Sequence, residues 1–253
     1  QITIINLSKM LRRTEALNFA INHTNRNSCY LMNMDADDIL ADEWLNNAIK
    51  YLDENKIADC LAGAAYIINE KREIKAIFKA SIKSNKNINE FFSYTFPIVH
   101  SSTVFKRKLI EDLRGPYNEK ISIGQDWDLF LDFSQKAKIF FIDKYSVYWR
   151  RYSESITGKT SNQISSRLDK IKNLEKGAAF AVSIKNKIKN RYRRGIENFV
   201  LSLLYLKKGD LAGFVYRLTI SLALNPLSFL TNNKIMGLLG INKEFYYHNE
   251  NKS

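Results

Sequence analysis

Cysteine, histidine and proline are scarce in this sequence, at two, three and three residues in 253. Two cysteines and three scattered histidines exclude a closed zinc cage, which takes four ligands of these types. Cys29 and Cys60 each sit in an apolar context and are expected as small buried core residues of a reducing compartment. So little proline, with 45% hydrophobic residues, argues against disorder and for a globular chain rich in helix. Long apolar runs are absent too. The longest uncharged stretch, Leu218 to Asn233, is broken by Asn225-Pro226 and falls short of the ~18 apolar residues of a spanning helix. No signal peptide is visible, since Lys9, Arg12 and Arg13 follow the opening Gln1-Ile2-Thr3. Acidic residues are scarce in the second part only. Residues 1–157 hold 22 Lys+Arg against 20 Asp+Glu, whereas residues 158–253 hold 17 against 6, so +11 of the +13 net charge lies in the second part. Such a tail attracts phosphate-rich partners. Few aromatics lie among its basic residues and no RNA- or DNA-binding motif appears, so a nucleic-acid partner is not expected.

What is present is concentrated at Met34-Asp35-Ala36-Asp37-Asp38, three carboxylates at the end of the apolar run Cys29 to Met34. The run reads as a short buried strand. Acids gathered at its tip repel one another unless a cation lies among them. A divalent metal, Mn²⁺ or Mg²⁺, carrying ligand phosphates meets that need. The plainer alternative is a solvated turn capping the next helix. Asp42, ahead of the amphipathic stretch Trp44, Leu45, Ala48, Ile49, Leu52, is expected to supply that cap and leave Asp35 and Asp37 without a structural task.

Elsewhere strands and helices alternate. Ile2 to Leu7 and Asp59 to Ile68 have strand character, as do Phe96 to Phe105, Ile139 to Ile142 and Val147 to Arg151. Helices are expected at residues 14–21, from Trp44 to about Asn55, over 106–113, and from Gly124-Gln125-Asp126-Trp127 onward; Asn69 to Asn89 reads as a hairpin or loop. Alternation of this kind predicts an α/β fold, a mainly parallel sheet covered by helices, with ligands at the carboxyl ends of strands. From Asn162 the pattern is all helical. Ile184, Ile188, Tyr192, Ile196, Phe199 and Leu203 recur at helical spacing, and Leu211 to Leu224 forms a second amphipathic helix. Two regions result, 1–157 and a basic helical 158–253.

Taken in order, these segments resemble the family 2 glycosyltransferases of the GT-A fold, of the bacterial surface-polysaccharide and lipopolysaccharide type. Leu31 to Asp38 is similar to that family's strand and D-x-D motif. Gly124-Gln125-Asp126-Trp127-Asp128-Leu129 resembles its G-E-D-W-D-L acceptor motif. His100 to Arg107 and Tyr117 resemble the segments before it, and Trp149-Arg150 to Ser155-Ile156-Thr157 the Y-R-x-H-x-x-S-x-T segment after it. The likeness covers roughly residues 1–157. Three departures accompany it. Nothing matches the family's opening V-S-V-I-I-P-T-Y-N strand, so an N-terminally incomplete copy is expected. The N-x-G of the N-x-G-x-x-x-A-x-N loop is replaced around Met10-Leu11-Arg12, although Ala16 and Asn18 fit. Tyr152 stands in place of the expected histidine.

The resemblance implies an inverting transfer from a nucleotide-sugar donor to a saccharide or lipid-linked acceptor, at the cytoplasmic side and peripheral to the membrane. Asp126 would be the base, Asp35 and Asp37 the metal ligands, and Asn18, Asp35, Asp37 and Arg150 the donor contacts. Trp127 and Asp128 would face the acceptor. Each residue also has a plainer reading: Asp126 as a helix-stabilising acid worth ~0.3–1 kcal/mol, Trp127 as core, Asp128 as helix support, Arg150 as a surface ion pair, His100 as a core or rim histidine. The competing function is a catalytically inactive GT-A remnant acting as a binding or scaffold module. The basic helices add an expected attraction to an anionic membrane surface.

Overall fold

The computed structural model describes residues 3–80, 84–111, 113, 115–151 and 163–226, with the backbone of 245–248. Along the chain run α1 (Arg13–Asn22), β1 (Tyr30–Met32), β2 (Ile39–Leu40), α2 (Trp44–Glu54), β3 (Cys60–Ile68), β4 (Ile74–Ala80) and β5 (Lys86–Asn87). There follow β6 (Thr103–Lys106), α3 (Lys108–Glu111), α4 (Gln125–Lys136), β7 (Ile139–Arg150), α5 (Gln163–Phe180), α6 (Ile184–Lys207), α7 (Leu211–Leu224) and β8 (Phe245–His248). The class is α/β with a helical C-terminal region, as the sequence pattern implies.

The sheet is mixed. Its central pair, β3 with β7, is parallel, while β1–β6, β3–β6, β3–β4, β2–β7, β5–β7 and β4–β8 are antiparallel. Small residues make the centre workable. Cys60, Ala62 and Ala64 point to one face of β3 and share a cluster with Phe130 and Phe133 of α4. Leu61 points to the other and meets Trp44, Ala48 and Leu52 of α2. A strand covered on both faces loses the polar alternation of a half-exposed one, which is why residues 59–68 read as one apolar run.

Several local expectations are corrected. Residues 3–7 are irregular and exposed, not a strand, and Ile2 lies outside the described residues. No sheet neighbour hydrogen-bonds them in the described sheet, and a strand without a partner leaves its amides to water. Cys29 is exposed, whereas Cys60 is buried as expected. Of the two readings of residues 69–89, the hairpin holds: β4 folds back antiparallel on β3 through a turn in which Asn69 N donates to the Glu73 carbonyl at 3.1 Å. Residues 96–102 are not strand; a 3₁₀ turn at His100–Ser102 precedes β6. Asp42 does not cap α2. That position is taken by Glu43 in the left-handed region at φ 60°, with no side-chain cap. Because β2 intervenes, Asp35, Asp37 and Asp38 do not cap α2 either. Tyr152 and Ser155–Thr157 of the sequence motif lie outside the described residues, as does the uncharged stretch beyond 226.

The apolar stripe expected on α6 is packed only in its middle, where Tyr192 is buried. Ile184 and Ile188 are exposed, and the buried positions are Asn186, Lys189, Asn190, Tyr192, Gly195, Glu197, Asn198, Leu201 and Ser202. Hydrogen bonds explain this. Asn190 Nδ2 donates to the Ser93 and Leu174 carbonyls at 2.6 Å each, and buried Glu197 accepts from Arg167 and Lys170. Burial pushes the Glu197 carboxyl up, but those two cations outweigh it and hold it below the usual carboxylate range. The helical region is therefore joined to the sheet domain by a polar, hydrogen-bonded junction.

Gly63 shows how tightly β3 is enclosed. A Cβ there would meet the Lys144 carbonyl oxygen and Trp44 at 2.8 Å and Ser146 Cβ at 2.9 Å. Gly63→Ala is expected to cost roughly 1–3 kcal/mol through overpacking, read as a lower urea midpoint at unchanged slope. An unchanged midpoint would show that α2 and β7 move apart freely.

Candidate active site

The acidic turn leaves the sheet at the end of β1. Asp38 N donates to the Asp35 carbonyl at 3.1 Å and closes it; Asp35 N donates to Ser101 Oγ at 3.3 Å. From β7, Arg150 holds the turn from the opposite side. Its amide donates to Asp38 Oδ1 at 2.9 Å and its Nε to the Asp37 carbonyl at 2.8 Å, while Nη1 reaches the Glu70 carbonyl at 2.9 Å. Arg150 thus ties the acidic turn and the turn at Glu70 to β7, as well as lining the cavity beside them.

That cavity holds about 420 Å³ and is lined by Asp35, Asp37, His100, Asp126, Arg13 and Arg150, among others. Two separate sequence motifs, the acidic turn and the start of α4, meet in it. Gly124, at φ 84°, turns the chain into α4. Asp126 follows in the first helical turn, and its Oδ1 accepts from the Trp127 amide at 2.9 Å. Arg13, at the first position of α1, crosses to Asp35 with Nη2 at 3.1 and 3.3 Å from its two carboxylate oxygens.

Behind the acids runs a chain of hydrogen bonds. Asn18 grips the backbone of Tyr117 at both ends, N to Oδ1 and Nδ2 to O, each at 2.9 Å. Tyr117 Oη lies 2.9 Å from His100 Nε2, and Asn33 Nδ2 lies 3.2 Å from His100 Nδ1. Asn33 also donates to Asp35 Oδ1 at 3.4 Å. Burial lowers the His100 pKa, against the pull of the Asp126 and Asp35 charges. Burial likewise raises Tyr117 well above the ordinary phenol, with the same two carboxylates adding to it. Both rings are therefore neutral near pH 7, and each presents a hydrogen bond and not a charge.

The sequence-predicted residues separate into groups. Asp35, Asp37, Asp126 and Arg150 come together in the cavity. Asn18 does not line it and reaches it only through Tyr117. Trp127 is buried, its Nε1 donating to the Phe92 carbonyl at 2.8 Å, and it lines a neighbouring cavity of about 270 Å³. Asp128 turns the other way, paired with Lys176 at 2.9 Å. Sequence reasoning missed Arg13, Asn33 and Ser101 as neighbours of the acids, whereas His100 is the satisfied core or rim histidine expected, buried and bonded at both ring nitrogens. One signal was there for Arg13: a cation in the first turn opposes the helix dipole, a conflict that an acid partner resolves.

Two carboxylates at one rim fit a hard cation that completes its shell with ligand oxygens. Among the described residues no group of three or more His, Cys, Asp or Glu converges into a cage.

Asp38 is the strained member of the turn. Burial pushes its carboxyl up to about 6 against hydrogen bonds from Ser101 and the Arg150 amide, and the Asp35 and Asp37 charges add to the rise. A carboxyl raised in the folded state binds its proton more tightly there than when unfolded, so ionising it costs stability. The cost is absent below about pH 4 and complete above the folded value. Asp38→Asn keeps an acceptor for the Arg150 amide. Its stability relative to wild type is expected to climb between about pH 4 and 7 in urea titrations. A pH-independent difference would remove the buried-charge account.

Comparison with known proteins bears on this arrangement. Residues 1–114 match the family model described as glycosyl transferase family 2. The match takes in Asp35, Asp37 and His100 and ends before Asp126. An uncharacterized glycosyltransferase of Methanocaldococcus jannaschii is 31% identical over 126 residues, 50% of this chain and 41% of that protein. The aligned part thus spans less than half the length of that relative. With the acidic turn on β1 and the α/β sheet that carries it, residues 1–114 of this chain are similar to a family 2 glycosyltransferase segment.

Proposed function

We propose that the protein transfers a sugar, with inversion, from a nucleoside-diphosphate donor to a hydroxyl of a saccharide or lipid-linked acceptor in cell-surface polysaccharide synthesis. The reading puts the work at the cytoplasmic face of the membrane. One observation carries it: Asp126 and the Asp35–Asp37 pair line one cavity although 89 residues separate Asp37 from Asp126. An inverting transfer needs two such groups, a base for the attacking hydroxyl and a counter-charge for the departing diphosphate. Asp126 is the base. Its Oδ1 is held by the Trp127 amide, which fixes the carboxylate and leaves Oδ2 to take the proton.

Asp35 and Asp37 would hold a divalent Mn²⁺ or Mg²⁺ together with the donor's phosphate oxygens. When bound, that ion neutralises charge building on the leaving group. Arg13 pairs with Asp35 and is the chain's own cation at the same place. Arg150, joined to the backbone of Asp37, fixes the turn in position. Neutral His100 and Tyr117 set the orientation of Asn33 and, through it, of Asp35. Trp127 and Asp128 are left as support for α4 and not as direct acceptor contacts.

The test offers a panel of nucleotide sugars and simple acceptor glycosides and measures nucleoside diphosphate released. Asp126→Asn keeps shape and hydrogen bonding but cannot accept the proton, so release should fall by roughly two to four orders of magnitude. Its nucleotide affinity, measured by calorimetry with Mn²⁺, should stay within about twofold. Asp37→Ala should instead weaken that Mn²⁺-dependent affinity. Wild-type release no faster than that of Asp126→Asn would replace catalysis with the binding-module reading.

A further inference from the structure

The first turns of α6 form a surface that the active-site cavity does not use. Residues 176–196 contain seven Lys and Arg and no Asp or Glu. Within that run Val182, Ile184 and Ile188 are 93%, 77% and 64% exposed, with exposed Lys185 and Lys187 between them. Three aliphatic side chains in water at the tip of a helix have a cost that folding does not recover. Polar residues occupy the packed face of the same turns. Asn186 Nδ2 reaches Glu90 at 3.3 Å, Lys189 Nζ the Tyr94 hydroxyl at 3.2 Å and Asn190 the Ser93 carbonyl at 2.6 Å. The sequence is therefore arranged with polar residues toward the protein and aliphatic residues toward solvent, the reverse of an ordinary surface helix.

The geometry points to this tip, Val182 to Ile188, as a docking surface for an anionic lipid bilayer, with the aliphatic side chains entering the headgroup boundary and Lys185 and Lys187 meeting lipid phosphates. Charge complementarity favours this occupant: Lys176 and Arg194 of the run pair with acids outside it and Lys189 is buried, but exposed Lys185 and Lys187 have no acid beside them in sequence. Aliphatic residues favour it over nucleic acid, whose bases call for aromatic stacking. Combined apolar and basic contact at an interface is how peripheral helices bind, without spanning. No helix among the described residues is long and apolar enough to cross a membrane. Docking here also has a consequence for the site. The tip is hydrogen-bonded to residues 90–94, and Phe96, two residues on from Tyr94, lines the cavity with Asp126. A bound bilayer would hold the cavity wall at a fixed distance from the lipid surface.

Vesicle flotation of the full chain tests this independently of sugar transfer. The probe is phosphatidylglycerol-rich vesicles, with phosphatidylcholine vesicles as the neutral comparison. Wild type should float with the anionic vesicles at low salt and be released as salt rises. Lys185→Ala with Lys187→Ala should weaken vesicle affinity roughly thirtyfold, at about fivefold for each lysine near the surface. Ile184→Ser with Ile188→Ser should weaken it roughly tenfold or more without changing the unfolding midpoint, since both side chains are exposed. No flotation with anionic vesicles, equal flotation with neutral ones, or full binding by the serine pair would each overturn the assignment. So would a concentration-dependent dimer in sedimentation that the serine pair abolishes while flotation stays absent, which would make the tip a self-association surface.

Discussion

The parallel pairing of β3 with β7 is the constraint on which the site depends. β7 is a single strand from Ile139 to Arg150, although its sequence reads as two apolar stretches split by Asp143, Lys144 and Tyr145. The pairing runs from Cys60–Ile139 to Ile68–Arg150, with register shifts around Gly63 and Ala64. Those shifts absorb the polar residues of β7 as irregularity and let the strand continue. Its far end then delivers Arg150 beside Asp37 and Asp38, more than a hundred positions away in sequence. Parallel pairing also requires a crossover. Between β3 and β7 that crossover includes the 3₁₀ turn bearing His100 and the helix bearing Asp126. One register therefore sets both walls of the cavity.

Charge balance decides how such a cavity stays folded. Asp35, Asp37 and Asp126 line it with Arg13, Arg150 and Arg151, so formal charges cancel around the opening. Arg151 rests over the Trp149 ring at 4.9 Å and Arg150 is joined to carbonyls, leaving the Arg13–Asp35 pair as the direct ion contact to the acidic turn. Both partners are about one-third exposed, so the pair contributes little to stability. A weak pair at a place where a ligand's charge must enter can exchange partners at low cost. The neutral His100–Tyr117 pair beneath adds rigidity without adding charge, which keeps the field at the opening under the control of the ionised groups.

Much of this was legible in the sequence, and the reasons differ by element. The edges of α7, the extent of β3 and the start of α4 follow from periodicity and from Gly124, which are local signals. Asp35, Asp37, Asp126 and Arg150 were legible as a group because four motifs kept the order of a known family. Asn18 was legible as a position but not as a role. Its two bonds to the Tyr117 backbone join residues 99 apart, and nothing in a sequence window records them. Strand character at residues 3–7 misled because β-propensity only describes a surface suited to a sheet and does not supply the neighbour. The Asp42 cap failed for a related reason: β2, two residues long, pulls the chain into the sheet before the helix begins.

The α6 stripe is the case where a correct pattern led to the wrong partner. Periodicity places Ile184, Ile188 and Tyr192 on one side of the helix, and that is where they are. It does not say whether protein lies on that side. Here the first three turns are held by amides and charges, because residues 89–94 offer carbonyls and a phenol and not an apolar groove. Farther along, Gly195 admits the backbone of α7 on the stripe side. Ser221 Oγ donates to the Gly195 carbonyl at 2.8 Å, and a Cβ at Gly195 would meet Asn225 Cβ at 2.7 Å. The stripe is therefore covered in its middle by α7 and left open at its start. A helix with a fully buried stripe would answer only to the fold. This one covers the middle of a single apolar face and leaves its start in solvent, and the lysines fall at the open end.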